Sequence, residues 1–233
     1  MNRRDLLKTA ALTALATAAY TTSARWGAAF AQDGGKIITL AHPAGFPDLD
    51  PATSFSNDGA VLANVYETLT RYIPARDGQE AKVEPVLAES WEVAADGLTW
   101  TFHLRSGVNI HDGADLTAEA VKGSIERTVK IGGGAAFIWS AVASMETPDP
   151  LTIVMKLSAP QPMDMTAAAG FAAWILSPGA LDKDNAWFNA GNGAGTGPYM
   201  VERFEPGQRA ILTRNPGYWG KFAEGSFDKA VFE

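Results

Sequence analysis

Leu98, Trp100, Phe102 and Leu104 alternate with Thr99, Thr101, His103 and Arg105, the period of two that marks a strand with one packed face and one wet face. Upstream, Trp91 and Val93 alternate with Glu92 and Ala94 as far as Asp96-Gly97, a dipeptide suited to the positive φ angles of a type I′ turn. The two runs therefore predict a hairpin. After the loop from Ser106 to Gly113, Thr117 is placed to cap a helix with Glu119 in its first turn and Leu116 packed on Val121. Val121, Ile125 and Val129 then form one stripe, and Gly132-Gly133-Gly134 ends it.

The same reading covers the rest of the chain. Ile37 to Ala41 is a short strand, and His42 to Asp58 is a loop rich in Pro, Asp, Ser and Gly. Val61, Leu62, Val65, Tyr66 and Leu69 predict a helix ending near Tyr72, before Pro74. A second hairpin is expected about Pro148-Asp149-Pro150, where Leu151, Ile153, Met155 and Leu157 alternate with Thr152, Val154 and Lys156. Met163 to Trp174 is a helix candidate of small and apolar residues, and a last hairpin turns at Glu205-Pro206-Gly207-Gln208.

Composition bounds the compartment. The chain has 233 residues, 46% hydrophobic and 19% charged, enough for one or two domains with a real core. Arg3 and Arg4 lead into an Ala-, Leu- and Thr-rich stretch, and Ala29-Phe30-Ala31 before Gln32 fits a small-x-small cleavage site. Residues 1–31 therefore read as an export signal of twin-arginine type, with Sec export as the alternative route, cleaved after Ala31. Its apolar part is about 12 residues where a membrane span needs about 20. Removing it takes away four basic residues and one acid, which moves the formal charge from −7 to −10. A chain this acidic has no electrostatic reason to hold nucleic acid or anionic lipid. With no Cys there is no disulfide, no thiolate metal site and no cysteine for a lipid anchor. The expected address is a periplasm, reached with the signal cleaved.

Several ordered motifs resemble one family. The run LAESWEVAADGLTWTFHLRSGVNIHDGADLTAEAV from Leu87 to Val121 is similar, nearly residue for residue, to a block of the family 5 solute-binding proteins, the extracytoplasmic receptors of ABC importers for peptides, nickel and related solutes. Leu49-Asp50-Pro51, NVYETLTRY from Asn64, FAAWILSPGAL from Phe171, GTGPY from Gly195 and RNPGYWG from Arg214 match further motifs in the family's order. The resemblance implies an α/β, type II periplasmic-binding-protein-like fold. Residues 32–56 and 178–233 are expected in a main lobe, residues 57–177 in an inserted subdomain, and the second lobe beyond Glu233, so that the chain reads as a fragment.

Candidate chemistry is sparse. His42, His103 and His111 lack metal-ligand spacing, and His103 and His111 read as structural. Gly191 to Gly197 lacks the Lys-Ser/Thr of a phosphate loop and leads into a strand, so it is a turn. No nucleophile elbow occurs, and Asp48 and Asp50 read as turn-capping acids rather than a catalytic pair. Trp91 and Trp100 belong to a hairpin core, and Trp219 to a turn. By position in the resembling family, Phe46, Asp50, Thr53, Phe55, Trp139 and Trp174 are expected on the ligand cleft. Ala172-Ala173-Trp174 stands where nickel-binding relatives carry an arginine, which favours a peptide or similar organic solute.

The resulting expectation is a monomeric, non-enzymatic receptor without cofactor or metal, whose partners are a small solute and the permease and ATPase of an inner-membrane importer. A truncated, non-functional product and a secreted hydrolase are the alternatives. If this part supplied half of the roughly −8 kcal/mol of a micromolar site, it would bind alone at about millimolar.

Overall fold

The computed structural model describes residues 35–233. The expected export signal, with Arg3, Arg4 and Ala31, lies outside these residues. Two four-stranded sheets dominate, each with its own hydrophobic core.

One sheet is built from consecutive chain. Strands β4 (Ala88–Val93), β5 (Thr99–Leu104), β6 (Val142–Asp149) and β7 (Thr152–Leu157) pair antiparallel in the order β4-β5-β7-β6. Trp100 pairs with Val93 and Met155, and Phe102 with Trp91 and Ile153, so the large apolar residues line one face. The alternation seen in sequence becomes burial of Trp100, Phe102 and Leu104. A helix, Ala118–Ile131, covers that face. Its Thr117 hydroxyl accepts the Ala120 N–H, and Gly132 closes it at φ 69°. Val121 and Ile125 are buried beneath it, whereas Val129 is half exposed beside strand β6, lining a cavity with Val142 and Met145.

The first hairpin turns differently from expectation. Gly97 N–H donates to Ala94 C=O, and only Gly97 has positive φ; Asp96 stays on the ordinary side and its carboxylate accepts the Leu98 and Thr99 N–H groups. A capping carboxylate replaces the left-handed pair of a type I′ turn.

The other sheet is assembled from both ends. Strand β1 (Ile37–Leu40) runs parallel to β10 (Lys229–Phe232), which pairs antiparallel with β9 (Arg209–Arg214), and β9 with β8 (Tyr199–Glu205). A short helix, Gly59–Val65, shares this core through Val61, Leu62 and Val65.

Two helix expectations are corrected. The helix expected to reach Tyr72 stops at Val65, and Thr70–Ile73 is instead strand β2, paired with β3 (Lys82–Pro85). The Gly197 N–H takes the Val65 carbonyl, ending the helix, and β-branched and aromatic residues beyond it suit a strand. Only Met163–Thr166 of the expected Met163–Trp174 helix forms: beyond it the Ala168 and Ala169 N–H groups bond three residues back, Gly170 follows, and Ala172 takes φ 63°, which no α-helix admits.

Candidate ligand cleft

The loop before Gly59 is fastened from within by its own acids. Asp48 accepts the Asp50 N–H, the Thr53 hydroxyl and the Asn185 side-chain amide. Asp58 accepts from Asp48 N–H, Ser54 and Ser56. Asp50 holds Ala52 N–H and forms a two-pronged pair with Arg127, both contacts at 2.7 Å. Arg127 comes from the helix over the other sheet, donates also to Lys183 C=O and lies over the Phe188 ring. Asp50 and Arg127 are both buried, so the pair ties one core to the other.

With its carboxylates turned inward, the loop presents Phe55, which is 57% exposed. Its ring meets Phe171 edge-on at 5.4 Å, and Phe171 meets Trp174 at 5.5 Å. The three aromatic side chains form one wall. Behind it lies a cleft of about 250 Å³, lined among others by Tyr66, Glu67, Arg71, Trp174 and Tyr218. Next to the wall a 3₁₀ turn, Ala136–Trp139, carries Phe137, which is 69% exposed. Gly134, just before that turn, lies against the backbone of Thr53 and Ser54, which brings the turn beside the Phe55 loop.

Of the six residues expected on the cleft, Trp174 alone is among those lining this cavity. Phe55 stands open and Trp174 contributes from a largely buried position. Phe46 is fully buried with its ring against Phe232, and Asp50 is taken up by Arg127. Thr53 is bound to Asp48. Trp139 is buried, its indole N–H donating to Ala172 C=O at 2.7 Å. Phe171, Phe137 and Glu67 were not among the expected residues.

Glu67 is the polar centre of the cleft. One carboxylate oxygen accepts from Tyr218 OH at 2.9 Å, the other from Thr196 hydroxyl at 2.8 Å and Trp219 indole at 2.7 Å. NVYETLTRY, GTGPY and RNPGYWG thus converge on one side chain. Burial pushes its pKa above the ordinary carboxylate value; the three donors and Arg71 oppose that shift without cancelling it. A signal was present in the sequence: an acid inside the apolar run Val65 to Leu69. His111 Nε2–H donates to Gly197 C=O, and burial lowers its pKa. Among the described residues no group of three or more His, Cys, Asp or Glu could hold a metal ion.

Comparison with known proteins gives a consistent set. Residues 82–233 match the family described as bacterial extracellular solute-binding proteins, family 5 Middle. The chain is 37% identical over 177 residues to the probable D,D-dipeptide-binding periplasmic protein DdpA of Escherichia coli K12, covering 74% of this chain and 34% of that one. It is 32% identical over 199 residues to the glutathione-binding protein GsiB of Salmonella typhimurium, covering 82% and 37%. The solved structure of the periplasmic binding protein DppA from Helicobacter pylori with the peptide STSA superposes with a TM-score of 0.69 at 27% identity, over 87% of this chain and 44% of that one. The chain spans about a third of the length of the curated relatives it matches.

Proposed function

Because the chain belongs to family 5 of the bacterial extracellular solute-binding proteins, we propose that it is part of the periplasmic substrate-binding component of an ABC importer, and that it captures a peptide or similar organic solute for the permease. The observation that supports this most is the exposed Phe55 ring set edge-on against half-buried Phe171, which packs in turn on buried Trp174. Aromatic faces accept apolar side chains and peptide planes of varied ligands by burial and stacking. The names of DdpA and GsiB point to a D,D-dipeptide and to glutathione, both short peptide-like molecules. The same proposal includes export by the Arg3-Arg4 signal, cleavage after Ala31, and release into the periplasm without a lipid anchor. N-terminal sequencing of periplasmic protein is expected to begin at Gln32; an intact Met1 contradicts it.

The lobe division enters this reading with one change. The helix Gly59–Val65 shares the core of the sheet of β1, β8, β9 and β10, which favours a main lobe that includes it and an inserted subdomain that begins after Val65 rather than at residue 57. The monomeric state and the partnership with permease and ATPase are further parts of the proposal.

A thermal-shift screen of the full-length protein with D-alanyl-D-alanine, glutathione and alanylphenylalanine tests it. A ligand at one hundred times its Kd adds about 2.7 kcal/mol to folded stability. A raised Tm with one of these peptides is the expected result, and turnover of any of them contradicts the receptor reading.

A further inference from the structure

Ala172 is buried at φ 63°, a left-handed conformation that costs a residue with a Cβ about 1–2 kcal/mol. Such a conformation persists only where its surroundings hold it. Here the main chain offers little: among the described residues, the only hydrogen bond made by the backbone of residues 170–174 is the one its Ala172 carbonyl accepts from the Trp139 indole, at 2.7 Å. Backbone pairing resumes at Ile175, whose N–H donates to Glu67 C=O. The turn therefore hangs on one side chain. It also stands between Phe171 and Trp174, two members of the aromatic wall, so its angle decides whether Phe171 meets Phe55.

We propose that Trp139 is a positioning residue: its buried indole N–H holds the left-handed turn at Ala172 and so sets Phe171 and Trp174 against Phe55. This rests on the ligand reading above and gives Trp139 a role without ligand contact. Phe137, two residues earlier, rides on the same 3₁₀ turn, so the latch joins both sides of the wall.

The test uses W139F, which removes the donor and keeps a ring, A172G, which accepts φ 63° without steric cost, and the double variant. Native-state chymotrypsin cleavage after Phe171 or Trp174 in the full-length protein reads local opening. W139F is expected to speed cleavage about tenfold, the loss of one buried hydrogen bond. Adding A172G is expected to bring the rate back to within about threefold of the parent, because glycine needs no latch. A core-packing role for Trp139 predicts no such rescue, and cleavage as fast in the double variant as in W139F overturns the latch. Should W139F not fold, A172G alone decides: cleavage slowed about threefold supports a turn held against a cost, and an unchanged or faster rate overturns it.

Affinity for alanylphenylalanine, measured on the same variants by calorimetry, separates the two claims. Weakening in W139F with recovery in the double variant supports both. Rescued cleavage with equal affinity in all variants overturns the positioning role in binding and counts against the ligand reading. Unrescued cleavage overturns the latch alone.

Discussion

The two sheets are built from opposite kinds of information. The sheet of β4 to β7 is made from residues 88–157 by two hairpins, each strand beside a neighbour close in sequence. The sheet of β1, β8, β9 and β10 is closed by contacts such as Lys36 N–H to the Asp228 carboxylate, 192 residues apart. Local pairs form at small entropic cost, while distant ones must first close a long loop. The local sheet therefore pairs within one stretch of chain, although its core also takes in Leu69, Met163 and Ile175, and the distant one depends on a few close backbone contacts and buried polar ties.

The largest expected effect breaks the distant sheet at such a contact. A Cβ at Gly195 would stand 2.0 Å from the Val65 carbonyl oxygen, and one at Gly197 2.5 Å from the Asn64 carbonyl oxygen. Backbone cannot yield there as a side chain can. G195A is expected to cost more than about 4 kcal/mol in denaturant unfolding. A cost below about 1 kcal/mol would show that the helix and the glycine loop need not touch.

Next comes the tie between the cores. R127M leaves the Asp50 carboxylate buried and unpaired, at an expected cost of about 3–5 kcal/mol. D50N in the same background is expected to return part of it by removing the orphaned charge. Equal stability of R127M and its parent breaks the claim that this pair joins the sheets.

The local sheet should respond more mildly. T117A removes one helix cap and is expected to cost about 1 kcal/mol, read as a lowered Tm. The legibility of the fold follows the same division. Thr117, Gly132 and the alternation from Leu98 to Leu104 act within a few residues, so periodicity and capping rules find them. The early stop at Val65 is imposed by Gly197, and the left-handed turn at Ala172 is met by the Trp139 indole, neither of which local propensity can sense. Phe55, expected on the cleft from the resemblance, stands exposed on its loop. Phe46, Asp50 and Trp139 were placed near the right segments, but burial depends on distant partners: Phe232, Arg127 and Ala172. Glu67 escaped notice because its three donors come from residues 196–219.

A pH series sharpens the contrast with a smaller effect. Glu67 has its folded pKa raised above its ordinary value of 4.5 by burial. The folded state thus holds the proton more tightly, so this contribution to stability is complete below about pH 4.5 and is lost as pH rises through the folded pKa. E67Q is expected to flatten that decline in Tm, and an unchanged slope contradicts the assignment.

Phe55 should matter least for folding and most for ligand. F55A removes an exposed ring and is expected to change stability by no more than about 0.5 kcal/mol. Calorimetric titration of alanylphenylalanine into full-length protein and F55A therefore tests the receptor reading most directly. The account predicts saturable binding weakened about tenfold by F55A, as for the loss of a stacked aromatic contact. Saturable binding of equal affinity in both proteins would contradict it.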